Sequence, residues 1–211
     1  MGKLSISTLA VAAFFAASPA LSADLGNQGD TTSANYVSGK PAFQGGGVGV
    51  DLGGQFTNID VADQFDGVGA DGIAGGGHAE YLFALGAFRI GPEIWGGLSN
   101  VNVDLGGTDI LNQDYYYGGG VKAGYVTGAT LIYAHGGYEW SKWTFADDYD
   151  VDVGSILVGG GIEHMVASNV SLGLEANYIV PVDVDVEGED ITQWVDKSES
   201  LRVLGRVTWR Q

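Results

Sequence analysis

The segment VSLGLEANYIV, from Val170 to Val180, alternates its side chains in two phases. One phase is apolar and aromatic, and the other contains a carboxylate, Glu175. The apolar and aromatic phase consists of Val170, Leu172, Leu174, Ala176, Tyr178 and Val180. Alternation with a period of two is typical of a β-strand whose two faces meet different environments. The segment therefore predicts a strand with one apolar face and one polar face.

Seven further runs repeat this alternation, and each is about ten residues long, which is the length of a tilted strand that crosses a bilayer. One run starts at Gly46, and the others are Gly76–Leu85, Phe88–Leu98, Tyr115–Val126, Ala129–Phe145, Gly154–Met165 and Ser200–Trp209. Eight such runs that pair in sequence can close into a barrel, which satisfies every backbone polar group and leaves no free edge.

The connections between the runs alternate in length. The short ones are Gly86-Ala87, Thr127-Gly128 and Val166–Asn169, and the long ones are residues 57–75, 99–114, 146–153 and 183–199. In an antiparallel sheet this order places all the long connections at one end. We therefore predict an all-β fold, an eight-stranded antiparallel up-and-down transmembrane β-barrel with short periplasmic turns and long acidic extracellular loops.

The charge of the chain is concentrated in the long connections. The 211 residues carry a formal net charge of −17, and 18 acidic residues against one base, Lys197, fall in those four segments. An acidic protein does not suit nucleic acid as a partner, because phosphates need a basic surface. The chain contains no cysteine, which excludes disulfides, a thiol nucleophile and thiolate metal sites.

Acidic and basic residues are balanced on the polar phase of the strands. We predict that these residues point into the lumen and plug it as an ion-pair network, with Arg202 and Arg206 facing Glu175 and Asp51. The predicted set is Asp51, Glu80, Arg89, Glu93, Lys122, His135, Glu139, Glu163, Glu175, Arg202 and Arg206. Within it, Lys122 is expected to form a second group with Glu80 and Glu93, because their strands are consecutive.

A soluble barrel of the lipocalin type would show the same alternation turned inside out. Two features favour the membrane: the sign balance of the charged phase, and aromatic residues near strand ends on the apolar phase, as in interfacial girdles. These aromatic residues are Tyr81, Phe83, Phe88, Tyr115, Tyr125, Tyr138, Trp140 and Trp209.

The N-terminus has the pattern of a secretory signal peptide. Lys3 precedes the short apolar run Leu9–Ala17, and small residues follow it. We predict a signal peptide over residues 1–23, cleaved after Ala23 or, alternatively, after Ser22. A second interpretation of the run is an N-terminal core helix. Residues 24–45 are predicted to form a flexible leader, and residues 46–211 the barrel.

Three motifs resemble a known family. They are Leu131–Tyr138 (LIYAHGGY), Gly159–Glu163 (GGGIE) and Leu172–Tyr178 (LGLEANY). With them the chain resembles the small eight-stranded outer-membrane proteins of proteobacteria, the opacity-like "porin family" surface antigens. The resemblance implies a Gram-negative outer-membrane location, with lipid and lipopolysaccharide as partners.

The resemblance also implies insertion by the outer-membrane assembly machinery, which reads the last strand. The alternating residues that fit such an assembly signal are Leu201, Val203, Val207 and Trp209. Members of the family usually end on the aromatic residue, whereas Arg210-Gln211 follow it here.

The sequence offers little catalytic chemistry. His135 has no serine and carboxylate neighbour on the lipid phase, so we predict no enzyme and no cofactor. The run Asp147, Asp148, Asp150 and Asp152 presents hard oxygen ligands that suit Ca²⁺ or Mg²⁺. It lacks the glycine and glutamate of an EF-hand loop, and the alternative is a solvated acidic loop.

The function predicted from these features is that of a structural, surface-exposed outer-membrane protein. It would act as a monomer through its acidic loops, with a plugged lumen. One alternative is a narrow diffusion pore. The other is a binding module whose loops engage divalent cations, lipopolysaccharide through such cations, or a host ligand.

Overall fold

The computed structural model describes residues 36–37, 40–61, 65–104, 109–145, 149–186, 189–190 and 198–211. The predicted signal peptide, residues 24–35 of the predicted leader, and Asp147 and Asp148 lie outside the described residues. Within the described part of the chain, no helix is long and apolar enough to cross a membrane.

Eight long strands form the sheet. They are β1 (Gly45–Val61), β2 (Phe65–Leu85), β3 (Phe88–Ser99), β4 (Asp109–Thr127), β5 (Thr130–Phe145), β6 (Tyr149–Ala167), β7 (Val170–Val186) and β8 (Glu199–Arg210). Each pairs antiparallel with the next, and β8 also pairs with β1, so that Arg206 lies opposite Gly173 on β7 and opposite Asp51 on β1. The ring is closed, which confirms the predicted eight-stranded antiparallel barrel.

Three shorter pairings lie beside the ring. Tyr36–Val37 pairs with Lys40–Pro41 before β1. Asn102–Asp104 pairs with β4, and Glu189–Asp190 pairs with β7.

The strands extend well into the segments that the sequence assigned to long connections. For example, β1 and β2 stay paired as far as Val61 opposite Phe65, and β7 continues to Val186. The alternating residues 183–186 (DVDV) keep the period of a strand. Antiparallel backbone ladders also form where one face of the sheet meets water, so loss of the apolar face does not end a strand. Much of the region predicted as acidic loops therefore consists of paired strands that carry acidic residues.

Three tight turns mark one end of the barrel, which we call the turn end; the opposite end is the loop end. Gly86-Ala87 connects β2 to β3, Gly128-Ala129 connects β4 to β5, and Ser168-Asn169 connects β6 to β7. Gly86 and Gly128 have φ angles of 65° and 60°, a left-handed conformation that glycine adopts without a Cβ penalty. The predicted turns lie at the same places, but the second is shifted by one residue and the third, predicted over Val166–Asn169, is shorter because β6 continues to Ala167.

The outer face of the barrel is an apolar belt. Leu98 and Leu52 are 71% and 67% exposed, which in water would leave a contiguous apolar surface uncovered. Aromatic side chains edge the belt on both sides, as Tyr125 does at the turn end and Tyr115 at the loop end. These two tyrosines are ten residues apart on β4, and at a typical tilt they are separated by about 25 Å along the barrel axis. That height matches the apolar band of an outer-membrane barrel.

Glycines on the inner face make room for large side chains in the lumen. A Cβ at Gly118 would lie 2.7 Å from the Trp95 ring, and one at Gly97 would lie 2.6 Å from the Tyr116 hydroxyl oxygen. In a barrel of eight strands the lumen is only wide enough for side chains to fill. The abundant glycine of this sequence therefore permits a filled lumen.

The end of the predicted leader is part of the barrel, which corrects the prediction of a flexible segment up to residue 45. Ala42 and Phe43 are each only 2% exposed, and Phe43 has a φ of 60°, which is unusual for a bulky residue. Burial of the Phe43 ring holds this segment in place. It belongs to an apolar cluster that fills the lumen at the turn end, made of Ala42, Phe43, Leu82, Val126, Leu131, Tyr133 and Met165.

Candidate functional site: the charged lumen

All eleven side chains predicted for the lumen point inward. The strand period dictates this, because they occupy alternate positions on the face opposite the apolar belt. Ten of the residues are buried, and the side chain of the eleventh, Asp51, is 7% exposed. The contacts between them form three layers along the barrel axis.

The layer nearest the turn end is centred on Lys122. Its Nζ lies 2.6 Å from Glu80, 3.1 Å from Glu93 and 3.3 Å from Glu163. Arg210 completes the layer, with its guanidinium 2.6 Å from Glu80 and 2.5 Å from Glu163. The predicted group of Lys122, Glu80 and Glu93 is thus brought together, and two further residues join it.

The central layer is centred on Arg206. This guanidinium lies 3.1 Å from Asp51 on β1 and 2.6 Å from Glu93 on β3, and it also donates to Glu175 on β7. Tyr133 donates a hydrogen bond to Glu175 over 2.8 Å. One side chain of the closing strand therefore joins carboxylates from three other strands.

The layer nearest the loop end is centred on Arg202. Contrary to the prediction, Arg202 does not pair with Glu175 or Asp51. It donates two hydrogen bonds, of 2.9 Å and 2.8 Å, to Glu139 on β5. The prediction considered only strands that are hydrogen-bonded to β8, whereas an arginine is long enough to cross the narrow lumen. The guanidinium also lies 3.8 Å from the centre of the Tyr116 ring.

Arg89 lies below these layers, at the turn end. Its Nε donates to the backbone carbonyl oxygen of Ala42 over 2.7 Å, and its Nη1 donates to those of Gly86 and Phe88. This residue was predicted as part of the ion-pair network, and its described hydrogen bonds tie the buried segment at Ala42 to the β2–β3 turn.

Two basic residues of the described lumen, Arg210 and His78, were absent from the predicted set. Arg210 lies one residue beyond the predicted strand, which ends at Trp209, although its position is in phase with Arg202 and Arg206. His78 also points inward; its Nδ1 lies 2.9 Å from Asp51, and its Nε2 lies 3.0 Å from the Thr208 hydroxyl.

Between the central layer and the Arg202 layer lies a cavity of about 10 Å³, lined by Asp51, Arg202 and Arg206 among others. This volume is enough for about one water molecule. Toward the loop end the lumen continues with hydrogen-bonded polar side chains, such as Gln55 with Gln113 at 2.9 Å. A second apolar cluster of Ala70, Val101 and Trp143 follows. The lumen is therefore packed along its length.

The predicted cation loop is described only in part. Asp150 forms an ion pair of 2.8 Å with the half-buried Lys142, and this hydrogen bond raises the pKa of the Lys142 ammonium. Asp152 lies directly opposite Asp185 on β7. The lumen carboxylates, for their part, contact Lys122, Arg206 and Arg210, so we assign them to ion pairs and not to a metal.

The predicted assembly signal lies on the outer face of β8. Val203 and Trp209 are exposed, and Leu201 and Val207 share their phase. Because β8 pairs with β1 as well as β7, this apolar face lies at the closure of the belt.

An apolar belt outside and paired charges inside are the reverse of what a soluble barrel requires. A soluble barrel would turn the charges to water and the apolar residues to its interior. The protein is an outer-membrane β-barrel. This confirms the predicted fold class and location, and it follows from the exposed belt together with the closed ring of strands.

Solved structures of other outer-membrane barrels are similar to this one. Neisserial surface protein A has 16% identity and a TM-score of 0.49, and the match covers 80% of this chain and 98% of that chain. Ail, the attachment invasion locus protein of Yersinia pestis, has 10% identity and a TM-score of 0.45, with 79% and 98% covered. The outer-membrane protease OmpT of Escherichia coli has 8% identity and a TM-score of 0.35, with 78% and 96% covered.

No protein-family model matches the chain, and no curated protein matches it. Because the identities and TM-scores of the three structures are low, we take nothing about function from them. Their likeness is one of architecture.

Proposed function

We propose that the protein is a closed, non-conducting outer-membrane barrel that anchors an acidic surface on the outside of the cell. The observation that carries this proposal is the packed lumen, in which three layers of ion pairs lie between two apolar clusters. The proposal is not enzymatic, since the polar groups of the lumen are engaged with one another.

The energetic cost of opening supports a closed lumen. Removing one partner of a buried ion pair typically costs about 3–5 kcal/mol, because the other charge is left uncompensated. A water-filled pore through the central layer would have to separate Arg206 from carboxylates on three strands. The narrow diffusion pore that the sequence left open is therefore the less favoured function.

Planar-bilayer recording tests this proposal. The mature protein, refolded and inserted into a bilayer at pH 6, is expected to show no discrete conductance steps. The variant Arg206→Ala is the positive control, because loss of the central guanidinium loosens the packing and should allow ions to pass. A steady unitary conductance of the unmodified protein at pH 6 would overturn the proposal.

We also infer that the loop end acts as an anionic surface. Asp114, Asp150, Asp152 and Asp183 are exposed there. A cluster of like charges raises the local concentration of counterions, and salt screens this effect over about 8 Å at physiological ionic strength. Suitable partners are divalent cations, lipopolysaccharide bridged by such cations, and polycationic host ligands.

Polylysine binding to vesicles that carry the protein tests the anionic surface. The combined variant Asp150→Asn, Asp152→Asn and Asp183→Asn should bind less polylysine at low salt. Lys142→Gln, a change of opposite sign at the same end, should bind more. Equal binding by all three proteins would show that this surface does not attract cations.

A further inference from the structure

The two ring nitrogens of His135 both face hydrogen-bond acceptors. Nε2 lies 2.7 Å from Oδ1 of Asn177, and the orientation of that amide is fixed because its Nδ2 donates to Glu175 over 2.9 Å. Nδ1 lies 3.2 Å from a carboxylate oxygen of Glu93, which is an ion-pair distance without the alignment of a hydrogen bond. A neutral imidazole has one donor and one acceptor nitrogen, so it can satisfy only one of these contacts. The Nδ1 contact with Glu93 is favourable only when Nδ1 carries a proton, so the geometry favours an imidazolium.

His78 does not make the same demand. Its Nδ1 can donate to Asp51, while its Nε2 accepts a hydrogen bond from the Thr208 hydroxyl, which is able to donate. A neutral His78 therefore satisfies both of its contacts, and His135 alone among the histidines of the described lumen needs a second proton.

The charge balance of the described lumen is consistent with one protonated histidine. The described lumen holds six carboxylates, Asp51, Glu80, Glu93, Glu139, Glu163 and Glu175. It holds five permanently charged bases, Arg89, Lys122, Arg202, Arg206 and Arg210. One further positive charge makes this buried set neutral, and neutrality is what a low-dielectric interior favours.

The surroundings of His135 hold the ring in its place. Besides Glu93, it faces Glu175, whose carboxylate lies 3.7 Å from Nε2. The rings of Trp95 and Tyr133 pack edge-on against it, each with its centre 6.0 Å away. Lys122 on β4 contacts Glu93, and Arg206 on β8 contacts both Glu93 and Glu175.

The neighbouring strand also leaves space for the ring. On β6 a glycine, Gly159, stands beside the imidazole, and a Cβ there would lie 2.6 Å from Nε2. The imidazole is thus fixed between two acids, with little freedom to turn away.

We propose that His135 is a proton-binding lock of the lumen: its imidazolium keeps the central layer neutral and closed, and loss of the proton loosens the layer. Without the proton, the lone pair of Nδ1 faces the carboxylate of Glu93, and the lumen carries one uncompensated negative charge. The proposal deepens the closed lumen proposed above, and it adds a condition, acidity, under which the lumen is closed.

Nuclear magnetic resonance of the refolded, ¹⁵N-labelled mature protein observes the proton directly. At pH 7, one histidine should show both ring nitrogens in the protonated range, and that signal should be missing from His135→Gln. His164 is the internal reference, since it is exposed at the turn end. A neutral tautomer at His135 across pH 6 to 8 would overturn the proposal.

Bilayer recording and urea unfolding at pH 6 and pH 9 test the consequence. A proton held in the folded state stabilises the barrel at low pH, and this stabilisation is lost as the pH rises. We expect the open probability to rise on the order of tenfold or more between these pH values, because an uncompensated buried charge is strongly unfavourable. The urea midpoint should fall over the same range.

Two variants separate the lock from other effects of pH. His135→Gln should lose the difference between pH 6 and pH 9, whereas His164→Gln, the same change outside the lumen, should keep it. Conductance of the unmodified protein at pH 6 would refute the closed lumen itself. A silent barrel with equal stability at both pH values would leave the closed lumen intact and refute the lock.

Discussion

The interior of the barrel and its loop end both carry many carboxylates, but among the described residues only those of the interior are all paired with bases. Inside, Glu80, Glu93 and Glu163 each lie within 3.3 Å of the Lys122 ammonium. At the loop end, Asp152 on β6 stands opposite another acid, Asp185 on β7. Burial demands a partner for every charge, whereas water tolerates an excess of one sign. A strand therefore carries paired charges where it crosses the membrane, and an excess of acidic residues where it extends beyond the membrane.

The largest effect should come from removing the central guanidinium. Arg206→Ala leaves Asp51, Glu93 and Glu175 short of a partner, and we expect a loss on the order of 3 kcal/mol in the free energy of unfolding. Urea titration of the refolded barrel measures it. Lys142→Ala removes a basic residue at the exposed loop end and should leave the urea midpoint unchanged. If both variants lowered the urea midpoint equally, the interior and the loop end would not differ in their need for paired charges.

A smaller loss is expected at the last charged residue of the chain. Arg210→Ala deprives Glu80 and Glu163 of one partner, but Lys122 still contacts both. We therefore expect the free energy of unfolding to fall by about 2 kcal/mol, which is less than the cost of leaving a buried charge without any partner. The same urea titration applies. Arg210→Lys should recover part of the loss, since it restores the charge but not the fork that reaches two carboxylates.

The packing of the lumen predicts a difference between inward and outward glycines. Gly118→Ala places a Cβ 2.7 Å from the Trp95 ring, and overpacking of this kind typically costs about 1–3 kcal/mol. Gly136→Ala is the matched control on the outer face, where the nearest atom would be 3.4 Å away. Thermal unfolding in detergent compares them. If Gly136→Ala were the more damaging of the two, the lumen would not be the tightly packed region.

The smallest effect concerns the acidic strand pair above the belt. Asp185→Asn removes one of two like charges that lie directly opposite each other, and should stabilise the barrel by about 0.5 kcal/mol at low salt. The gain should disappear in high salt, which screens the repulsion. A gain that persists at high salt would mean that repulsion with Asp152 is not its source.

Strand order and the inward phase could be predicted from the sequence, because both depend on a period of two along single strands. The group of Lys122, Glu80 and Glu93 could also be predicted, since their strands are neighbours in the chain. The pairing of Arg202 with Glu139 could not, because it crosses the lumen and depends on the stagger of strands that never touch.

Two other features were missed for different physical reasons. The paired extension of β7 to Val186 keeps the period of two, but it carries aspartates on its exposed phase, so its acidity indicated a loop although the backbone ladder continues. The buried segment at Phe43 is a single aromatic residue in a polar, aperiodic stretch, and its burial depends on a space that only the finished barrel creates. Arg210, by contrast, was within reach of the pattern, because it continues the phase of Arg206.

The position of the arginines on β8 has a consequence for the order in which the protein is assembled. Three of the five permanent cations of the described lumen, Arg202, Arg206 and Arg210, arrive with the last strand, while all six carboxylates belong to earlier ones. A sheet that lacks β8 therefore faces lipid or water with six carboxylates and only two permanent cations, Arg89 and Lys122. A sheet with this excess of negative charge is poorly suited to enter the membrane. Pairing of β8 therefore closes the barrel and neutralises its interior in the same step.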